Sequence, residues 1–125
     1  MKFFSYGKDG GPESTVSGFW FVEIKSLFSI VILKFENGSR EAYHEHAFNS
    51  RSWLLKGMLV EYIRPGIMNA YRPSRTPIKT ERTTFHMVKS VGTSWVFSIR
   101  GPWSKTWREF RQGQLVTLTH GRKEV

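Results

Sequence analysis

Two histidines one residue apart, His44 and His46, are the residues whose type and spacing most directly suggest chemistry. Side chains at positions i and i+2 of a β-strand point to the same face, about 6.6 Å apart along the chain. Two imidazole rings in this arrangement can lean together and place nitrogens about 2 Å from one metal ion. A solvent-exposed strand face, or one hydrogen-bonded core histidine, explains the same spacing, so the pair alone leaves these alternatives open.

A third histidine, His86, favours a metal site because it lies on a separate predicted strand, 40 residues after the pair. The residues on either side of it are apolar, and a buried imidazole needs a partner for its ring nitrogens. A shared metal would provide that partner, so we predict His44, His46 and His86 as its ligands. His120, close to the C-terminus, is expected to be a surface residue.

Cationic and phenolic side chains near the ends of predicted strands are candidates for binding an anionic ligand. Tyr71, Arg72 and Arg100 could contact a carboxylate or phosphate, because a guanidinium group binds either anion through two parallel hydrogen bonds. Surface arginines and a packed tyrosine are the alternative interpretation of the same residues. We expect Trp53 and Trp95 in the core rather than as stacking platforms, because tryptophan on a strand buries a large area.

β-Strands must position these residues. The segments that are rich in β-branched and aromatic residues, or that alternate in polarity, are 18–24, 27–35, 52–56, 58–63, 84–90, 94–100 and 114–120. Asn37 and Gly38 predict a hairpin that pairs 27–35 with 40–46. Residues 103–110 carry aromatic side chains at helical spacing and could form a short helical turn. Roughly ten short strands with turns between them predict an all-β sandwich or barrel.

The composition indicates one domain without disulfides. A chain of 125 residues can bury a core of its own, and the absence of cysteine excludes disulfides, thiolate zinc sites and a cysteine nucleophile. No run is apolar enough for a membrane span or a secretion signal, so we expect a cytoplasmic protein with no membrane partner. The net charge of +9 favours an acidic ligand or partner. The basic residues are scattered, however, so nucleic acid is the less favoured alternative.

The spacing around the histidine pair resembles the first motif of the cupin superfamily. That motif runs Gly, five residues, His-x-His, three or four residues, Glu, six residues, Gly. Gly38, His44, His46 and Gly57 occupy the corresponding positions of this sequence. His86 matches the histidine of the second cupin motif.

More narrowly, "HEHAFNSRSWLLKG", "FHMV" and "SWVFSIRGPWSKTWREF" are similar to a branch of small, largely uncharacterised single-domain cupins. The resemblance covers about residues 19–120. It implies a cupin-type β-barrel or jelly roll over 19–125, with at most a short helical turn, preceded by a flexible segment at 1–18.

The sequence departs from the cupin motifs at two places. Ser50 takes the position of the motif's glutamate, and Glu81 and Thr83 replace the Pro-x-Gly that normally precedes the second histidine. The resemblance then implies three neutral histidine ligands, an arrangement that includes the thiol dioxygenases, which use Fe(II). Zn, Ni and Mn are alternative ions for such a site, because geometry and availability decide more than raw affinity. Loss of the metal is the other outcome that the missing glutamate allows.

Two functions therefore remain open. The first is a metal-binding small cupin, with a three-histidine Fe(II) dioxygenase acting on a small anionic molecule as its most specific form. The second is a non-catalytic cupin whose cavity or basic surface binds an acidic ligand or a macromolecular partner. The three histidines favour the first, and the missing glutamate and Pro-x-Gly favour the second. Cupins often pair through sheet edges, and 27–35 is long and apolar enough for such a homodimer.

Overall fold

The computed structural model describes residues 1–9, 14–38, 43–63, 66–111, 114–119 and 123–124. These residues form strands and no helix, so the predicted all-β class is confirmed. The strands are β1 (Lys2–Lys8), β2 (Val16–Ile24), β3 (Phe28–Phe35), β4 (Ser50–Lys56), β5 (Leu59–Ile63), β6 (Ile67–Tyr71), β7 (Ile78–Thr80), β8 (His86–Ser90), β9 (Ser94–Arg100), β10 (Thr106–Arg111), β11 (Gln114–Thr119) and β12 (Lys123–Glu124). Nowhere in this described part of the chain is there a helix that could cross a membrane.

The larger layer is an antiparallel six-stranded sheet with the order β1-β2-β3-β9-β4-β7. Alternation along each strand decides which side chains are buried. In β3, Val31 and Leu33 are buried, whereas Ile30 and Ile32 lie on the opposite face and are partly exposed. We call the face with Val31 and Leu33, which covers the interior, the inner face, and the opposite face, with Ile30 and Ile32, the outer face.

The second layer combines two three-stranded sheets, β6-β5-β8 and β10-β11-β12. His44 joins them, because it forms backbone bridges with His86 of β8 and with Glu109 of β10. The amide of His44 donates to the carbonyl of His86 at 2.8 Å, and the amide of His86 donates back at 2.9 Å. We call this junction, formed by His44 between β8 and β10, the seam.

Two apolar clusters fill the interior between the layers. The first contains Val16, Trp20, Val31, Leu33, Leu54, Leu59 and Val96, and the second contains Ala47, Phe48, Trp107 and Leu118. Tyr71 packs against the first cluster, and the ring of His46 lies 5.2 Å from that of Phe48 in the second. The seam therefore has one apolar cluster on either side.

Gly57 directs the chain from β4 in the first layer to β5 in the second. Its φ of +100° lies in the left-handed region that side chains other than glycine rarely adopt. A Cβ there would lie 2.7 Å from the Cα of Ser94 and 2.7 Å from the carbonyl oxygen of Thr93. The second glycine of the cupin-like spacing is therefore required by backbone conformation and by close packing.

The predicted hairpin between 27–35 and 40–46 is wrong. The two neighbours of β3 are β2 and β9, and β9 pairs with it continuously from Ser29 to Phe35. Residues 39–42 lie outside the described residues. The Asn-Gly signal reports only local turn propensity, whereas β9 offers a strand of matching length and apolar pattern. Because β3 is an interior strand, it offers no free edge for pairing with a second copy.

The helical turn considered for 103–110 is also wrong. Thr106–Arg111 form β10, which pairs along its length with β11. Trp107 lies opposite Leu118 in that pairing, and both side chains are buried in the second cluster. Strand pairing and this shared burial override the helical spacing of the aromatic residues.

At the N-terminus, the strands begin earlier than expected. Lys2–Lys8 form β1 and pair with β2, which itself starts at Val16 rather than after residue 18. Residues 10–13 lie outside the described residues. The division into a flexible segment 1–18 and a barrel domain 19–125 stays a prediction as far as mobility is concerned, but residues on both sides of that boundary contribute strands to one sheet.

The prediction that Trp53 and Trp95 belong to the core is wrong. Both lie on the outer face of the six-stranded sheet and are partly exposed. Trp53 contacts Phe97 with 5.8 Å between ring centroids, and Trp95 contacts Phe19 at 6.2 Å. Large rings therefore pack against one another on the surface of this sheet.

Candidate metal centre

The seam places three histidine rings together. The ring centroids of His44 and His46 are 4.8 Å apart, those of His44 and His86 are 5.0 Å apart, and those of His46 and His86 are 4.9 Å apart. One ring nitrogen of each lies within 4.8 Å of the others, so small ring rotations bring all three to one ion. The residues that the sequence singled out, far apart along the chain, therefore converge.

Register explains why the rings converge. His44 and His86 are directly opposite each other across the seam, so their side chains stand on the same face at neighbouring-strand spacing. His46 follows two residues after His44 and points to that face as well. The i, i+2 argument from the sequence and the long-range pairing with β8 thus act together.

His86 is held in place by a buried carboxylate. The side chain is 4% exposed, and its Nδ1 donates to Oε2 of Glu61 at 2.5 Å. Glu61, itself 5% exposed, accepts a second hydrogen bond at Oε1 from the hydroxyl of Tyr71, at 2.7 Å. This hydrogen-bonded chain from Tyr71 through Glu61 fixes the orientation of the His86 ring.

Glu61 stays ionised in this arrangement. Burial raises its pKa, but hydrogen bonds from His86 and Tyr71 outweigh burial and leave the pKa below its usual value. The pKa of the Tyr71 phenol is raised far above normal by burial and by its hydrogen bond to Glu61. Glu61 is therefore a carboxylate acceptor for two donors, the pattern in which a carboxylate orients a metal-binding histidine.

The second ring nitrogen of His86, Nε2, indicates whether the cluster fits a metal ion. Nε2 is buried and has no hydrogen-bond partner among the described residues. Because Nδ1 donates to Glu61, the Nε2 lone pair of a neutral ring points away from the carboxylate and is available. A buried polar atom of this kind requires a partner. A metal ion bound by the three rings would satisfy it, so the donor set fits.

Glu109 is a second buried carboxylate beside the rings. It is 2% exposed, lies directly opposite His44 across the seam, and lines the same cavity as the histidines. The three residues His86, His44 and Glu109 thus form one row across the second layer. The cluster within reach of one ion contains only the three histidines among the described residues.

The cluster opens into a cavity of about 510 Å³ between the two layers. Leu33, Leu59 and Val96 are among its apolar wall residues, whereas Ser52 and Ser98 line it with hydroxyl groups. The hydroxyls of Ser52 and Ser98 are hydrogen-bonded to each other at 3.0 Å. A volume of this size accommodates a small organic molecule with both apolar and polar parts.

Arg100 places a buried positive charge on the wall of this cavity. It is 4% exposed and forms two hydrogen bonds with Asp9, at 3.2 Å and 2.7 Å. Its guanidinium carbon lies 4.6 Å from the ring centre of Phe48. The Nε atom is buried and has no hydrogen-bond partner among the described residues. The Nε–H of Arg100, a cavity-lining residue, is therefore an unused donor.

The other residues that the sequence singled out differ in whether they line the cavity. Tyr71 lines the cavity, but its hydroxyl is committed to Glu61. Arg72 follows the end of β6, is exposed, and lies outside the set of cavity-lining residues that the structure describes. His120 lies outside the described residues. Ser50, at the position of the cupin glutamate, lines the cavity and lies opposite Arg100.

Comparison with solved structures decides the fold. A cupin-superfamily sugar phosphate isomerase from Silicibacter pomeroyi superimposes with a TM-score of 0.62, at 10% identity, covering 89% of this chain and 76% of that one. KdgF from Halomonas sp. matches with a TM-score of 0.60, at 15% identity, over 81% and 94% of the two chains. The chain has the cupin fold. The predicted jelly-roll architecture is confirmed.

A third structural neighbour is the polyketide cyclase RemF from Streptomyces resistomycificus. It matches with a TM-score of 0.65, at 11% identity, over 78% of this chain and 73% of that one. No protein-family model matches the sequence, and no curated protein sequence matches it either. Identities this low establish a shared fold and carry no statement about activity.

Three residues that support or line the candidate site were missed from the sequence. Glu61 gave a usable signal, because it shares strand parity with Leu59 and so places a charge on the buried face of β5. Glu109 shares parity with Trp107 in the same way. Asp9 gave no such signal, because its partner Arg100 is 91 residues away.

Proposed function

We propose that this protein is a metal-dependent cupin in which His44, His46 and His86 hold one divalent transition metal. The observation that carries the proposal is the meeting of three imidazoles at a cavity wall, with the buried Nε2 of His86 lacking another partner among the described residues. Fe(II) is the first candidate, and Zn and Ni are alternatives because imidazole suits these ions. Mn is the weaker alternative, because it prefers oxygen ligands.

The most specific form of the proposal is a dioxygenase that acts on a small anionic molecule. A metal held by three histidines supplies open coordination positions and, as iron, activates O₂ beside an organic substrate. A dioxygenase places both oxygen atoms in its product, so the reaction needs no external reductant. The apolar wall formed by residues such as Leu33, Leu59 and Val96 limits access of water to the reacting groups.

Residues of the chain have separate roles in this proposal. Glu61 and Tyr71 hold the His86 ring so that Nε2 faces the cavity. Arg100 donates to the anionic group of the substrate through its buried Nε–H, the position that the pair with Asp9 leaves unused. The serine hydroxyls of Ser52 and Ser98 offer hydrogen bonds to the polar part of the same molecule.

A non-catalytic cupin is the second candidate. It is favoured by Ser50, which leaves the position of the cupin glutamate without a carboxylate. In that case the cavity binds an anionic ligand through Arg100 and carries out no reaction. Metal content and turnover together distinguish the two candidates.

The first test is metal content after purification and reconstitution with Fe(II) or Zn(II). We expect about one equivalent in the wild-type protein and at least a tenfold loss of affinity in His44→Ala and His86→Ala. His120→Ala is the comparison variant, because it removes the fourth histidine of the sequence and keeps His44, His46 and His86. Equal metal content in all four proteins would rule out the centre.

The second test is oxygen consumption by the Fe(II) protein with a panel of small carboxylic acids. We expect consumption that requires both iron and substrate and that His86→Ala abolishes. A metallated protein that binds an acid, as measured by calorimetry, but consumes no oxygen with any of the panel supports the binding module over the enzyme. Turnover in the presence of a chelator would contradict both.

A further inference from the structure

The outer face of the six-stranded sheet carries a continuous row of large side chains. The backbone pairings Tyr6–Phe19, Phe19–Ile32, Ile32–Phe97 and Phe97–Trp53 place these residues side by side across β1, β2, β3, β9 and β4. We call this the aromatic row. Its five side chains span about 19 Å, because neighbouring strands are about 4.8 Å apart.

The aromatic row is accessible. Tyr6 is 66% exposed and Phe19 is 40% exposed, and the three other members are partly exposed. The rings of Tyr6 and Phe19 lie 4.8 Å apart, and Trp95 stacks on Phe19 from the neighbouring row at 6.2 Å. Monomeric domains seldom expose a contiguous apolar surface of this extent unless it binds a partner.

Basic residues lie on both sides of the aromatic row. On one side, Lys8 and Lys34 stand two residues further along β1 and β3. Lys56 stands three residues further along β4, where a bulge in the pairing with β9 brings it to the same level. On the other side, Arg51 and Lys79 form a directly opposed pair on β4 and β7. Two residues along a strand correspond to about 6.8 Å, so each flank is within reach of a chain lying on the rings.

The outward positions of this sheet carry no carboxylate in the described strands. Glu23, the one acidic residue of the six strands, points inward and is 5% exposed. Glu36, just beyond β3, contacts Lys34 at 3.3 Å. The face therefore presents five cations around an aromatic centre, an arrangement that the scattered positions of these residues in the sequence do not reveal.

We propose that this face binds single-stranded nucleic acid, with bases stacking on the aromatic row and phosphates contacting the two basic flanks. Proteins that bind single strands without sequence preference combine a positively charged track with aromatic side chains on which successive bases stack. The outer face has both components on one surface. The site is separate from the histidine cluster, which lies on the opposite side of the six-stranded sheet, so the inference does not depend on the metal.

Charge and shape distinguish this partner from the other candidates. Two copies of the chain packed face to face would oppose five cations with five cations, which disfavours a homodimer through this surface. A duplex keeps its bases stacked inside and offers no free base faces to a flat sheet. A single strand offers both phosphates and exposed bases, so it complements both parts of the face.

The test is fluorescence anisotropy with fluorescein-labelled dT20 and U20 over a range of salt concentrations. We expect binding that weakens with salt, because each neutralised phosphate of a single strand contributes a slope of about −0.7 to log K against log salt. Arg51→Ser/Lys79→Ser should reduce that slope by about 1.4. Tyr6→Ala/Phe19→Ala should weaken binding at least tenfold while leaving the slope unchanged.

Lys89→Ser/Lys105→Ser is the matched control, because it removes two exposed cations outside the six-stranded sheet. The control should retain at least half of the wild-type affinity, and thermal unfolding should confirm that every variant is folded. Several results would overturn the proposal: no binding at 20 mM salt, an equal loss in the control, or binding of duplex in preference to single strand. Sedimentation showing a dimer that Tyr6→Ala disrupts, or binding only to anionic lipid vesicles, would assign the face to another partner.

Discussion

The inner and outer faces of the six-stranded sheet reverse the usual distribution of side chains. On the inner side Arg100 is only 4% exposed, whereas on the outer side Tyr6 is 66% exposed and Phe19 is 40% exposed. In most domains charged groups lie at the surface and large apolar groups lie inside. Here a buried charge and an exposed aromatic row occupy opposite faces of the same strands.

The two reversals are stabilised differently. The buried ions have partners: Arg100 pairs with Asp9, and Glu61 accepts a hydrogen bond from His86 on the adjacent strand β8. The exposed rings contact one another, but nothing in the described part of the chain covers them. Where a sequence breaks the usual rule of burying apolar side chains and no neighbouring group compensates for this, the position is expected to be functional. This difference predicts that substitutions of the buried ions alter stability strongly and that substitutions on the outer face of the six-stranded sheet alter binding.

The largest effect should come from Glu61→Ala. The substitution leaves the Nδ1 of His86 and the hydroxyl of Tyr71 without their acceptor in the interior, so we expect the free energy of unfolding to fall by about 3 to 5 kcal/mol. Urea denaturation of the metal-free protein measures this loss. Glu36→Ala is the control, because Glu36 is an exposed partner of Lys34 and should change the stability by less than about 0.5 kcal/mol. Equal effects of the two substitutions would mean that the buried carboxylate is not held as described.

An intermediate effect is expected at the Asp9–Arg100 pair, and it should be asymmetric. Asp9→Ala leaves a buried guanidinium without its carboxylate and should lower the free energy of unfolding by about 2 kcal/mol. Arg100→Met leaves the Asp9 carboxylate without its partner, but solvent reaches this carboxylate, so the loss should be about 1 kcal/mol or less. Thermal or urea unfolding of the two variants gives the comparison.

Acetate tests whether Arg100 accepts an external carboxylate. We expect acetate to raise the melting temperature of Asp9→Ala and to leave that of Asp9→Ala/Arg100→Met unchanged, since binding to the folded state stabilises it. If acetate stabilised both variants equally, or if Arg100→Met were the more destabilising substitution, Arg100 would not be the anion-binding group of the cavity.

Local patterns predicted the strands and the histidines better than their partners. Alternation in β9 and the i, i+2 spacing of His44 and His46 depend on adjacent residues, so they are readable in the sequence. The pairing of β3 with β9 depends on residues 59 to 71 positions apart, and the Asn-Gly turn signal pointed to a nearer partner. The three-histidine cluster was predictable because the resemblance to cupins supplied the long-range link to His86.

The partner of the buried carboxylate Glu61 and the cations of the outer face could not be predicted from local patterns. Strand parity places Glu61 on a buried face, but it cannot identify His86 as its partner 25 residues away. The five cations of the outer face, Lys8, Lys34, Arg51, Lys56 and Lys79, are dispersed through the sequence and come together only through strand order. The sequence alone therefore indicates only a scattered positive charge, and the strand positions of Trp53 and Trp95 predict burial in the core.

The smallest effect on stability should come from the outer face. Tyr6→Thr removes one exposed ring that contacts Phe19, and threonine retains high β-propensity, so we expect the free energy of unfolding to change by less than about 1 kcal/mol. Leu33→Ala, on the buried side of β3 in the same sheet, should cost about 2 to 5 kcal/mol in the same urea titration. A loss at Tyr6 as large as that at Leu33 would show that the aromatic row stabilises the sheet as a core does, and its exposure would then need no partner to explain it.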